Sequence, residues 1–392
     1  MNGIIKEKFH KVGAAVPNIL LPAKSVDYGK FAIIACDQYT ADPKYWEDVE
    51  EYVGDSPSSL RMIMPEAWLK TPRAKNTSDI NKVMSDYCEN GVLEDVGECL
   101  VFVKRHTTSG VRRGLVIALD LEEYDYSTDA KCLIRATEQT VLERIPVRVE
   151  IRESAPLEIP HIMVLIDDKD NALMGALDVS TDTMEVLYDF ELMHKAGRVT
   201  GYKIDDEPLL SAIAAELERL HSVSSDGLLY AMGDGNHSFA AAKTVWCEHK
   251  KTIPESEWSD CPLRYCLCEL VNIYDAGLEF LPIHRALMGV DPEQVQREID
   301  FDADNPPSAQ KLQPLLDKWL AQHPEADIEY IHGEARCREF CDTPDRLAII
   351  MPPFDKESLF EVVRRDGAFV RKVFSMGRSN DKRFYLESRK LV

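Results

Sequence analysis

Residues 228–243 read LLYAMGDGNHSFAAAK, and the rest of the chain is best understood outward from them. Leu228-Leu229-Tyr230-Ala231-Met232 is an apolar run of the length of a short buried strand. Gly233-Asp234-Gly235-Asn236 has the composition of a turn, and His237 to Lys243 is rich in helix formers. Phe239, Ala242 and Trp246 recur at i, i+3 and i+7, so one face of that helix can pack on a core. A strand, a glycine turn and a helix start together make an anion site, because free backbone N–H groups and the helix dipole both point at the turn. Asp234, Asn236 and His237 are three chemically capable side chains where glycine lets a ligand approach the backbone. The competing structural reading is that Asp234 or Asn236 caps the helix.

The 392 residues allow a substantial core and two structural units. Apolar content of 45% and charged content of 29% suit a globular protein in water. No apolar run approaches membrane-spanning length, and the N-terminal stretch lacks the pattern of a signal peptide, which points to the cytoplasm. The net charge of −22 argues against nucleic acid as a partner, since phosphate backbones are held by basic surfaces. Ten cysteines without secretory context do not read as a disulfide scaffold. The spacing of Cys261, Cys266 and Cys268 favours core thiols over zinc.

Elsewhere, Phe31 to Ala35 is extended and leads into Cys36-Asp37, a carboxylate just past a strand. Asp42-Pro43 starts a helix. Cys99 to Arg105 and Val111 to Leu119 predict a hairpin. A helix is predicted from near Thr137, where Arg135, Glu138 and Arg144 bring both charge signs together; the alternatives are a solvated charged face or an anion and base site. His161 to Ile166 is a strand ending in Asp167-Asp168; Met184 to Met193 and Pro208 to Leu220 are helical. Leu263 to Ile273 and Leu278 to Arg285 are extended, the latter ending in His284-Arg285. The tail carries Lys382-Arg383-Phe384-Tyr385.

Met232 to Ala242 resembles the Asp-Gly-His-His-Arg box of the ParB/sulfiredoxin-like superfamily, and within it the family known as domain of unknown function 1015. Ile134 to Pro146, Leu281 to Arg285 and Asp381 to Val392 agree with that family in order. The resemblance implies a mixed α/β (α+β) fold. Its ParB/sulfiredoxin-like core would carry helical and mixed-sheet elaborations. Residues 1–260 would form the phosphate-binding region, with a C-terminal α+β region, 261–392, packed on it. It also implies a phosphotransferase acting between a nucleotide (ADP or ATP, with Mg²⁺) and a small hydroxy amino acid, serine or phosphoserine above all.

On that reading Asp234, His237, Glu138 and Asp37 are catalytic, with Asp234 also holding the metal. Gly233, Gly235, Asn236, Ser238, Arg135, Thr137, Arg144, His284, Arg285 and Lys243 bind phosphate or substrate. Any self-association is expected to be a homodimer. Two box positions depart from the pattern: Asn236 stands for the first His, and Ser238 for the Arg. Serine cannot replace a bidentate cationic phosphate donor, so Lys243, Arg135 or Arg285 would have to supply the charge. That departure favours the alternative, a non-catalytic nucleotide-binding regulator of the ParB type. Sulfur chemistry of the sulfiredoxin type is a third class, with Cys36 as its candidate.

Overall fold

Hairpin chemistry builds the centre of the molecule. In the computed structural model, which describes residues 2–69, 71–140, 142 and 145–392, strands Leu100–Thr107 and Gly110–Asp120 pair antiparallel with Arg105 opposite Arg112, as the sequence predicts. Leu115 to Leu119 are all buried, so this strand is covered on both faces. On one side of the hairpin lie Arg198–Ile204 and then Val186–Glu191, both antiparallel. On the other side Tyr265–Asn272 pairs antiparallel with Gly110–Asp120 and parallel with Met163–Ile166. Met163–Ile166 is antiparallel to Tyr230–Asp234, which is parallel to Ile134–Arg135; Tyr124–Asp125 closes the edge. With Ala14–Ala15 beside Gly110–Asp120, the described residues form a mixed sheet of ten strands in a mixed α/β architecture.

Two compact units emerge. One comprises Met1–Ala136, Thr140–Leu278 and Ser379–Val392, and the other Thr137–Gln139 with Glu279–Arg378. The division therefore does not fall at residue 260. Tyr265–Asn272 is an interior strand of the large sheet, and the C-terminal tail returns to the first unit through Phe384–Tyr385 on Ile33–Ile34 and Arg389–Lys390 on Leu157–Glu158. The second unit is built on Phe280–Met288, flanked antiparallel by Asp327–His332 and Arg346–Ile349 and joined by Phe374–Met376. Its core gathers Leu287, Val295, Leu312, Leu316 and Ile349.

Two predicted helices are corrected. Met184 to Met193 contains the strand Val186–Glu191, because its cross-strand pairing with Arg198–Ile204 outweighs its helical spacing. No helix starts at Thr137: Ile134–Arg135 is a strand, Thr137–Gln139 belong to the second unit, and the helix spans Ile145–Arg152. Pro146 in its first turn suits a helix start there, since the missing N–H would have no partner in any case. Phe31 ends a short helix, Tyr28–Phe31, so only Ile33–Ile34 of that extended run is strand, and Gly233-Asp234 end the strand Tyr230–Asp234 instead of turning. Asp42 caps the helix Pro43–Val53, and Asp206 caps Glu207–Val223, as predicted. All ten cysteines are free thiols. Among the described residues no helix is long and apolar enough to cross a membrane.

One buried ion cluster holds the tail in the first unit. Arg383 bonds Glu269 on the central strand at 2.6 Å, Glu387 on its own segment at 2.6 Å, and the Pro160 carbonyl at 3.1 Å. Arg112 lies 3.4 Å from the other oxygen of Glu269, and Tyr188 bonds Glu387. Burial disfavours the Glu269 carboxylate, yet Arg112 and Arg383 hold its pKa below the ordinary value. Removing one partner from such a cluster strands a buried charge. Arg383→Met is therefore expected to cost about 3–5 kcal/mol in urea unfolding, against a change near zero for an exposed control such as Arg365→Met.

Candidate functional site

The strand Tyr230–Asp234 is buried through Met232 and opens at Gly233 and Asp234. Gly235 then takes φ +80° and serves as the N-cap of the helix Asn236–His249. A Cβ at Gly235 would stand 2.9 Å from Cγ1 and 3.1 Å from Cα of Ile162, so both the backbone angle and the space require glycine. The predicted side-chain cap is absent. Asp234 Oδ1 accepts instead from the N–H of Gly235 at 2.9 Å, and Gly235 at the N-cap has no side chain to offer the helix. A 14-residue helix thus begins with its positive dipole end at the turn. Phe239, Ala242 and Trp246 pack inward as their spacing predicts.

Sheet register decides what surrounds the turn. Asp234 lies opposite Met163, which brings His161 and Ile162 beside it. The tail arrives from the other direction. Ala35 N–H donates to Arg383 at 3.0 Å, Ile34 pairs with Phe384, and Ile33 with Tyr385. The Tyr385 hydroxyl meets His161 Nδ1 at 2.8 Å and accepts from the Cys36 N–H at 3.2 Å. Lys382, only 8% exposed, places its ammonium 3.1 Å from Asp234 Oδ2.

Asp37 completes the group. Burial raises its pKa, but His161, a 3.0 Å hydrogen bond from Gln38, Lys382 and Arg148 outweigh burial, and the net shift is downward. It is therefore an ionised carboxylate at neutral pH. Arg148 comes from the helix Ile145–Arg152, which packs on the box helix, and pairs with Glu66. Beneath these groups lies a cavity of about 150 Å³, lined by Ser238, His161, Tyr385, Cys36, Arg148 and Arg152 among largely apolar neighbours.

The structure thus assembles Asp37, Asp234, Gly233, Gly235, Asn236, His237 and Ser238 in the first unit, all at least partly exposed. The Asn236 Oδ1 is buried without a protein partner. Other predicted donors are committed elsewhere. Lys243 donates to the Leu121 carbonyl at 2.7 Å. Arg135 is buried in a 2.5 Å ion pair with Asp226, opposite Ala231. Three steps along the strand lead from Ala231 to Asp234, a distance of about 10 Å. Arg144 lies outside the described residues. Thr137, Glu138, His284 and Arg285 belong to the second unit. There the Thr137 carbonyl accepts from Phe369 at 2.7 Å, Glu138 accepts from the Lys372 N–H at 2.9 Å, and His284 accepts from the Met351 N–H at 3.1 Å. Arg285 donates to Gln313 at 3.1 Å; burial brings its pKa down to about 10, opposed by Tyr330 and Glu138.

Sequence reasoning missed Lys382, His161, Arg148 and Tyr385. The signal for two of them was the Lys382-Arg383-Phe384-Tyr385 tail itself. Burial, with the Asp37 carboxylate adding to it, pushes the Cys36 thiol up to about 12, which removes the thiolate that sulfur chemistry needs. Among the described residues no group of three or more His, Cys, Asp or Glu could by itself hold a metal ion.

A family model described as protein of unknown function (DUF1015) matches residues 20–336. Among solved structures the chain is similar to a free serine kinase in complex with AMP (TM-score 0.38, 11% identity, covering 70% of this chain and 92% of that chain). It is also similar to a conserved hypothetical protein from Pyrococcus furiosus (TM-score 0.36, 12% identity, 70% and 95%). A third is SbnI with a C-terminal truncation from Staphylococcus aureus (TM-score 0.36, 10% identity, 67% and 82%). No curated protein matches the chain. Likeness this distant leaves function to be argued from the site's own groups.

Two outcomes follow from the geometry. Gly235→Ala is expected to lower the unfolding free energy by about 1–3 kcal/mol, from the positive φ and the clash with Ile162. The Asp37 carboxylate, depressed in the folded state, contributes stability that is fully present above the ordinary carboxylate value of about 4 and is lost as pH falls through its lower folded pKa. Denaturant titrations of the wild type and Asp37→Asn should therefore differ at neutral pH and converge in acid.

Proposed function

The chain belongs to the DUF1015 family, and from that premise we propose that the box-centred site is a phosphotransferase centre. It would move a terminal phosphoryl group between a nucleotide and a small hydroxyl-bearing acid. Serine is the acceptor that the resemblance to the ParB/sulfiredoxin-like superfamily implies, and that core type is proposed on the strength of the box residues. The observation that carries the reading is the convergence of an ionised Asp37, the Lys382 ammonium and the N-terminus of the box helix on one turn. Phosphoryl transfer asks for little covalent help from a protein; it asks for charge neutralisation, in-line positioning and an acceptor for the hydroxyl proton.

Each requirement has a candidate. The backbone at Gly235 to His237 faces a phosphate as helix N-termini do. Lys382 brings the positive charge that Ser238 withholds from the box. Asp37 takes the proton of the attacking hydroxyl as the new P–O bond forms and the bond to the nucleotide leaving group breaks. His237 is assigned to the transferring oxygens. Asp234 and the unpartnered Asn236 Oδ1 are hard oxygen donors that suit Mg²⁺, an ion that takes most of its other ligands from phosphates and water. When bound, that ion neutralises charge across the phosphate oxygens.

Phosphorus NMR of the protein with ATP or ADP, Mg²⁺ and a panel of small hydroxy acids is expected to show a new phosphate ester, and the reverse reaction from the ester. Lys382→Met should lower kcat/KM at least about 100-fold, near 2.7 kcal/mol, and Asp37→Asn by about 10²–10⁴-fold. Product formation untouched by both substitutions would refute the assignment. Nucleotide binding by calorimetry with no product in either direction would instead support the non-catalytic regulator, the reading that Ser238 in place of arginine favours.

A further inference from the structure

Glu66 opens the short 3₁₀ turn Glu66–Trp68, directly after Pro65, and Arg148 stands on the helix Ile145–Arg152. The two meet as an ion pair between separate segments, with 21% of the Arg148 side chain and 23% of the Glu66 side chain exposed. A pair this accessible contributes little to stability, because water screens it. Its place says more. The Glu66 N–H donates to the carbonyl of Cys36, the residue before Asp37, at 2.8 Å. Arg148 lines the cavity beside the box together with Cys36, His161 and Ser238, and its charge is one of those that hold Asp37 ionised. A guanidinium and a carboxylate thus stand side by side, within reach of solvent, near the acid assigned to the acceptor hydroxyl.

Charge selects the kind of ligand. The Arg148–Glu66 pair carries no net charge. Arg152 and Glu158, charged residues of the cavity lining, pair with each other. A ligand of one charge would leave an excess beside a largely apolar wall, whereas a zwitterion leaves none. In an α-amino acid the carboxylate and the ammonium share one carbon, so the two charges can lie against the pair in the opposite order. The carboxylate then meets Arg148 and the ammonium meets Glu66, and every ion keeps a partner of opposite sign. A guanidinium carries five N–H donors, enough to serve Glu66 and a ligand carboxylate together. Size agrees. A volume of about 150 Å³ is that of a cavity filled by a benzene-sized molecule. An amino acid with a one-carbon side chain fits it, and a whole nucleotide does not.

We propose that Arg148 and Glu66 form the clamp that recognises the head group of the acceptor, a small α-amino acid with a hydroxyl on its side chain. With the head group held there, the hydroxyl is directed toward Asp37, whose segment is tied to Glu66 through the Cys36 carbonyl. Both residues determine specificity, and neither takes part in the bond changes. The amino acid's role as acceptor rests on the phosphotransfer reading; its recognition by the pair does not.

Calorimetry on the full chain without nucleotide tests the clamp, with L-serine, 3-hydroxypropionate and ethanolamine as probes. The second lacks the ammonium and the third lacks the carboxylate. Serine is expected to bind saturably, and each analogue at least about tenfold more weakly, a factor equal to 1.4 kcal/mol. Glu66→Gln should weaken serine at least about tenfold and narrow its advantage over 3-hydroxypropionate, because a missing ammonium no longer strands a carboxylate. Arg148→Gln should narrow the advantage over ethanolamine in the same way. A merely structural role would weaken all three probes alike. If Arg148→Gln fails to fold, Glu66→Gln, close in shape and partly exposed, decides the matter. Equal affinity of the wild type for either analogue, no binding of serine, or unchanged serine affinity in folded Glu66→Gln would overturn the proposal. Clamp-dependent serine binding without a phosphate ester in the presence of nucleotide would keep the clamp and discard phosphotransfer. Phosphorylation of serine with kcat/KM unchanged in both variants would do the reverse.

Discussion

The guanidinium of Arg383, buried between Glu269 and Glu387, is the interaction on which the site depends. Arginine suits this place because its planar fork serves two carboxylates and a carbonyl at once, at 2.6, 2.6 and 3.1 Å. A buried ion cluster of this kind contributes little net stability compared with a well-packed apolar core. What it does is fix register. With Arg383 tied to an interior strand, Lys382 must fall beside Asp234 and Tyr385 beside His161 and Cys36. The last residues of the chain are thereby set against a turn about 150 positions earlier in sequence.

Charge at the box is redistributed as a consequence. Ser238 leaves the turn without a cation of its own. The ammonium of Lys382 enters from the tail, and Arg148 from the helix packed on the box helix. Together with His161 they lower the Asp37 pKa against the cost of burial, so an acid that would otherwise be neutralised stays charged. The cavity behind the turn has a different character. Its wall is mostly apolar, with Arg148, Arg152, His161 and Ser238 among its polar members.

Local segments were legible where neighbouring residues decide the outcome. The hairpin Leu100–Thr107 and Gly110–Asp120, the Asp42 and Asp206 caps, and the packed face of the box helix follow from alternation, capping chemistry and helical spacing. Reading failed where a distant partner decides. Met184 to Met193 has helical spacing, yet its backbone pairs with Arg198–Ile204. Thr137 carries a plausible helix start, yet its carbonyl bonds the N–H of Phe369. Asp234 and Asn236 both looked like caps, but Gly235 occupies the capping position and Asp234 folds back on the turn. Lys243 and Arg135 were among the cations the sequence offered to the box, and both are held by partners of their own.

By itself, then, the sequence determined the box: a strand, a glycine that alone tolerates the turn, and a helix start, together with a carboxylate at Asp37. These are local facts, because φ angles, N–H groups and dipoles are properties of a few consecutive residues. The tertiary structure alone decided which charges meet there. Electrostatic attraction acts over a few ångströms of space and takes no account of chain separation. Only the pairing of Ile33–Ile34 with Phe384–Tyr385, and the register of Met163 against Asp234, brings Lys382 and His161 within that range.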